Sequence, residues 1–230
     1  MTVRIQAMTA TNENAIRSAS AAGYAGRARV WDPLVRLFHW SLVAAFAVAW
    51  LTADELQPVH EVAGYVVAGL IAFRIVWGLV GSRHARFAQF LRGPSAILGY
   101  LGDMARGRER RYLGHNPAGA AMIAALLLTL SGTAFTGWLM EDDSRLAKLP
   151  DLPGIVAPAK ADGDGRDQAG RGGRPDRTLE EIHETLANLM LLLVALHVGG
   201  VVLTSFRHRE NLARAMVTGD KRAPEPGDVA

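Results

Sequence analysis

The chain has 230 residues, half of them hydrophobic, a formal net charge of +3 and no cysteine. Without cysteine there are no disulfides, thiolate-held metals, iron–sulfur clusters or covalently attached c-type haem. The apolar residues gather in four blocks separated by charged stretches, the distribution of a multi-pass membrane protein rather than of a soluble core.

Residues 1–29 are polar and lack the apolar core of a secretory signal, so they are expected to form a disordered cytoplasmic leader. Four segments, 34–52, 60–81, 118–140 and 180–206, are long enough to cross a bilayer at about 1.5 Å per helical residue. Trp31-Asp-Pro33 precedes the first, with Asp32 placed to cap and Pro33 suited to the first turn. An acidic turn, Asp54-Glu55, leads to Pro58, which opens the second. The basic segment 82–117 contains Gly93-Pro94-Ser95, the start of a short interfacial helix through Leu101, and ends at Asn116-Pro117, a cap for the third span.

Residues 141–179 are rich in Gly, Asp, Pro and Arg without apolar periodicity, and are expected to form an outer loop. Thr178-Leu-Glu-Glu181 matches a capping box, so the fourth helix is expected to begin near Thr178 and run to about Phe206. A basic amphipathic segment through Leu212 and a flexible tail, 223–230, follow. The expected fold class is all-α: an integral membrane four-helix bundle, up-down-up-down, with residues 30–222 as one transmembrane domain.

Charge sets the expected orientation. Sixteen of the 25 Lys and Arg residues fall in 1–30, 82–117 and 205–230, which by the positive-inside rule places both termini in the cytoplasm. The run Arg106-Gly-Arg-Glu-Arg-Arg111 beside membrane helices is expected to meet lipid headgroups, not nucleic acid. Trp31, Trp40, Trp77 and Trp138 lie near helix ends, as an aromatic belt would.

Four histidines carry the chemistry. An imidazole in hydrocarbon is costly without a partner, and His39, His60, His183 and His197 all lie in or at the ends of the spans. His183 and His197 are 14 residues apart, which separates them by about 40° in azimuth and about 21 Å along one helix. On an up-down topology His39 matches the depth of His197 on the inner side, and His60 that of His183 on the outer side. Haem iron takes two axial imidazoles from opposite faces, and facing helices of a bundle supply them, so the pattern points to two bis-histidine haems and to electron transfer.

Arg36 lies one turn before His39, and Arg74 lies 14 residues after His60, so both are expected to pair with propionates of the inner haem. His84, His115 and His208 are expected to be interfacial, and Glu184 a solvated first-turn acid. No G-x-S-x-G, H-E-x-x-H or P-loop pattern occurs, so no catalytic residue is assigned.

The run Val30-Trp-Asp-Pro-Leu-Val-Arg-Leu-Phe-His-Trp40, the opening His60-Glu-Val-Ala-Gly-Tyr65, Phe73-Arg-Ile-Val-Trp-Gly-Leu-Val-Gly81, Arg86-Phe-Ala-Gln-Phe90, Gly114-His-Asn-Pro117, and His183 with His197 before His208-Arg-Glu-Asn-Leu212 resemble the bacterial cytochrome b561 family. That family includes the b-type cytochrome subunits of nickel–iron hydrogenases, and the likeness covers about residues 30–222. It implies a cytochrome of the bacterial inner membrane with two haems b, one on His39 and His197 and the other on His60 and His183. Its role would be to pass electrons in a respiratory chain between quinone and a redox partner. A c-type cytochrome or a hydrogenase or dehydrogenase subunit is the expected partner, the 141–179 loop a docking surface. Two alternatives stay open: a membrane anchor subunit of a hydrogenase or dehydrogenase complex, and a non-redox membrane metal-binding protein.

Overall fold

The computed structural model describes residues 26–142 and 175–229, so most of the 1–29 leader and of the 141–179 loop lies outside the described residues. The described chain forms β1 (Arg27–Arg29), α1 (Pro33–Thr52), α2 (Gln57–Val80), α3 (Phe87–Phe90), α4 (Pro94–Ala105), α5 (Pro117–Met140), α6 (Pro175–Arg207), α7 (Leu212–Thr218) and β2 (Asp220–Arg222). Helices α1, α2, α5 and α6 are long and apolar enough to cross a membrane. Their large side chains point outward in number, with Leu51 80% and Leu128 74% exposed. In hydrocarbon that surface costs nothing, while each helix satisfies its own backbone hydrogen bonds.

The chain divides into two compact units. The first comprises residues 1–40, 74–121 and 197–230; the second comprises 41–73 and 122–196. In the second, all four long helices contribute to one core. Val67 and Ile71 of α2, Leu130 of α5 and Met190 of α6 are buried, and Leu42 and Phe46 of α1 pack against them. A methyl group on Gly132 would lie 3.2 Å from Leu186, so the missing side chain lets α5 and α6 approach closely.

The first unit gathers the basic segments. Strand β1 pairs antiparallel with β2, Arg27 opposite Arg222 and Arg29 opposite Asp220. The Val30 and Trp31 amides both donate to the Gly219 carbonyl, at 2.9 and 3.1 Å, beside a small core of Val30, Trp31 and Ala215. Gly219 ends α7 in the left-handed conformation, φ 90°. A Cβ there would sit 2.8 Å from the Trp31 carbonyl oxygen.

Arg111 fastens the C-terminal segment. Its guanidinium holds Glu210 at 2.9 Å and Asp228 at 2.5 Å, with Lys221 3.6 Å from Glu210. Burial alone would raise the Glu210 carboxyl, but the Arg111 hydrogen bond and the Lys221 charge outweigh it and hold it below its ordinary range.

Several boundaries differ from expectation. Residues Arg27–Arg29, assigned to a disordered leader, form β1, because β2 offers them a backbone ladder. The tail assigned as flexible is tied down through Asp228 and through a bridge between Tyr112 and Val229. Helix α2 starts at Gln57, since the Leu56 carbonyl already accepts the Val59 and His60 amides. Helix α6 starts at Pro175, so Thr178 lies inside it rather than capping it, and the extra turn carries an Arg177–Glu181 pair at 3.8 Å.

Helix α4 runs on to Ala105 instead of stopping at Leu101. Beyond Arg207 the chain does not continue as one amphipathic segment. Arg209 turns left-handed, φ 50°, and Asn211 caps a new helix, α7, through the Arg214 amide. The caps read from Asp32 and Asn116 both form, to the Val35 amide at 2.8 Å and the Gly119 amide at 2.7 Å.

Candidate functional site

In the first unit, α1 and α6 bring His39 and His197 together, with ring centres 6.5 Å apart and planes inclined by 51°. The Nδ1 of His39 is sealed from solvent and has no hydrogen-bond partner. Arg36, one turn earlier on α1, donates to the Val217 carbonyl at the end of α7, while its Nε is buried without an acceptor. Such orphaned polar atoms are costly unless a ligand satisfies them.

Arg74 is 4% exposed. It donates to the Ala85 carbonyl at 3.1 Å, and its guanidinium lies 4.7 Å over the Phe87 ring. Asp32 accepts from Ser82 and, at 3.4 Å, from the Trp77 indole. Burial tends to raise the Asp32 carboxyl, yet these bonds and the Val35 amide prevail and keep it ionised below its usual value.

The second unit pairs His60 of α2 with His183 of α6, ring centres 6.2 Å apart and planes 73° apart. The Nδ1 of His60 lies 2.8 Å from the Ala49 carbonyl, which only accepts, so that nitrogen carries the proton and Nε2 keeps its lone pair. His183 Nδ1 lies 3.0 Å from the Thr136 hydroxyl, which itself donates to the Gly132 or Thr133 carbonyl. The hydroxyl is therefore the acceptor for His183, and again Nε2 is left bare. Room for this ring comes from Gly137, where a Cβ would stand 3.1 Å from its Cε1.

Both pairs fit a shared metal. Two imidazoles binding one metal from opposite sides at about 2.0 Å have ring centres roughly 6 Å apart, and the separations here are 6.5 and 6.2 Å. No cluster of three or more His, Cys, Asp or Glu occurs among the described residues. A two-ligand site suits a metal whose remaining positions a macrocycle fills, as in haem. Gly64, one turn after His60, and Gly200, three residues after His197, face open space where any side chain would project.

All six residues expected at the site thus fall into two groups, His39, His197, Arg36 and Arg74 in the first unit and His60 with His183 in the second. Sequence reasoning missed Ala49 and Thr136, which orient the imidazoles. Thr136 and Gly137 were visible only as small residues of an apolar span. It gave no sign of what packs on His115, expected at the interface. The ring is wedged between Trp31 and Phe90, ring centres 4.6 Å on each side, with its Nδ1 buried and unpartnered. Trp31 itself is buried, 8% exposed, rather than part of an aromatic belt.

No curated protein and no solved structure matches the chain. A family model, prokaryotic cytochrome b561, matches residues 30–219, which include both imidazole pairs and the four membrane-length helices found among the described residues. With paired histidines on three of its four long apolar helices and that match over most of its length, the chain belongs to the prokaryotic cytochrome b561 family, multi-pass membrane b-type cytochromes that carry electrons on haem b.

Proposed function

We propose that the chain is a diheme cytochrome of the bacterial inner membrane, one haem b held by His39 and His197 and the other by His60 and His183. The observation that carries this reading is the recurrence of one geometry, two imidazoles 6.5 Å and 6.2 Å apart, in two separate units of the fold. Bound haem supplies reversible one-electron chemistry at its iron. Two imidazoles per iron leave no open coordination position, which favours electron transfer over oxygen chemistry.

The chain's own residues set how well each iron is held. Ala49 and Thr136 take the Nδ1 protons of His60 and His183, fixing the ring orientation and raising the basicity of the ligating nitrogens. Arg36, with its unpartnered Nε, and Arg74 pair with the propionates of the haem on His39 and His197. For Arg74 this adds to its bond to Ala85.

Electrons pass between quinone and a redox partner, a c-type cytochrome or an enzyme subunit. Both termini lie in the cytoplasm, as the concentration of Lys and Arg in 1–30, 82–117 and 205–230 supports. The test is a pyridine haemochrome assay on purified protein, followed by addition of a reduced quinone. Two haems b per chain that become reduced on quinol addition are expected. One haem per chain would sink the diheme reading, and two haems indifferent to quinol would sink the quinone role.

A further inference from the structure

Between the end of α2 and the start of α5, the first unit contains a small cleft lined by Arg83, His84, Gln89, Arg92, Tyr112 and His115. Two guanidiniums and two imidazoles converge on it, and none of its lining residues is acidic. The only hydrogen bond of Arg92 runs to the Gln89 carbonyl, at a long 3.4 Å, and Arg83 makes no hydrogen bond or ion pair among the described residues. This contrasts with Arg111, whose charge is spent on Glu210 and Asp228. Pro117, the first residue of the 24-residue helix α5, also lines the cleft, and the positive end of the helix dipole adds to its field.

The Nδ1 of His115 is buried and unpartnered. Burial and the charges of Arg74 and Lys221 push this imidazole down to about 3, so the ring is neutral and offers one N–H donor at neutral pH. The cleft is therefore rich in donors and unbalanced cations and poor in acceptors, at the point where two membrane helices leave the bilayer.

We propose that this cleft binds a phosphate anion through Arg83 and Arg92, either the headgroup of an anionic phospholipid or a free phosphate. Its place between membrane-helix ends, on the side that carries the basic loops, favours the lipid. Phosphate is the matching chemistry because guanidiniums bind it in bidentate fashion and helix N-termini attract it. None of the four paired histidines lines this cleft.

The test uses the haem-loaded protein in detergent, with dioleoylphosphatidylglycerol, dioleoylphosphatidylcholine or inorganic phosphate as probes, read by native mass spectrometry and by thermal melting. A direct charge-assisted contact to phosphate is worth roughly tenfold in affinity, so Arg83→Gln with Arg92→Gln should weaken phosphatidylglycerol retention by about 100-fold. A control pair, Arg86→Gln with Arg108→Gln, removes equal charge outside the cleft and should change retention little.

Selective retention of phosphatidylglycerol over phosphatidylcholine, lost in the cleft variant, supports the lipid source. Stabilisation of the wild type by inorganic phosphate alone, absent from the cleft variant, supports the free anion. Equal retention of both lipids without a phosphate effect, or equal losses in cleft and control variants, overturns the proposal. Loss of haem from the cleft variant would also overturn it, since the two arginines would then serve the haem propionates.

Discussion

At the scale of single residues, the chemistry rests on what holds each imidazole. Thr136 fixes His183 through Nδ1, and Gly137 leaves it space. Partners of this kind are worth about 10- to 100-fold in metal affinity. Thr136→Val should therefore shift the midpoint potential of one haem and weaken its retention on dilution, while leaving the other unchanged. Redox titration with haem counting checks this, and an unaltered pair of potentials would remove Thr136 from the role.

His115 carries a prediction about pH. Burial, then the Arg74 and Lys221 charges, lower its pKa from 6.5 to about 3, and His84 and His208 shift in the same direction. Above 6.5 the ring is neutral folded or unfolded, so its contribution is complete there. Between 6.5 and 3 only the unfolded chain takes the proton, and stability falls as pH drops, by at most about 1.4 kcal/mol per unit. Thermal melts at pH 7.5 and 5 should show this loss in the wild type and a smaller one in His115→Gln; identical slopes would contradict it. The four paired histidines were legible in sequence because imidazoles stand out in apolar spans. His115 was not, because its burial depends on Trp31 and Phe90 arriving from distant segments.

Among the elements, the four long helices were legible nearly to their ends, since an apolar run of membrane length has few other readings. The short elements of the first unit were not. Strand β1 is Arg-Ala-Arg, three residues and too short for its alternation to mark it, and exists because β2 and the Gly219 carbonyl supply its partners. Gly219→Ala places a side chain in a left-handed turn against the Trp31 carbonyl, at a cost of about 1–2 kcal/mol from the turn alone.

A larger effect is expected at Arg111, because removing one partner of a buried ion pair leaves charges uncompensated, typically about 3–5 kcal/mol. Arg111→Met should lower the melting temperature more than Gly219→Ala and expose the segment after Thr218 to protease. Protection equal to wild type would show that the ionic cluster does not fasten this segment.

For the whole molecule, the native chain has no cysteine, so single introduced cysteines report topology without background. Arg108→Cys should react with a membrane-impermeant maleimide only from the cytoplasmic face, and Asp54→Cys only from the opposite face. The reverse pattern would invert the proposed orientation. Helix count and the spacing of His183 and His197 along one helix were readable from the chain. The pairing of His39 with His197 and of His60 with His183 followed from depth along the helices, while the ring separations and the residues that orient the imidazoles required coordinates.

The most direct measurement is haem content, by reduced-minus-oxidised spectra and pyridine haemochrome, in the wild type and in His39→Ala, His60→Ala, His183→Ala and His197→Ala. The expected result is two haems per chain in the wild type and about one in each variant. His39→Ala and His197→Ala should lose the same spectral component, and His60→Ala and His183→Ala the other. Full haem content in all four variants, or losses that pair His39 with His60 or His183, would contradict the account.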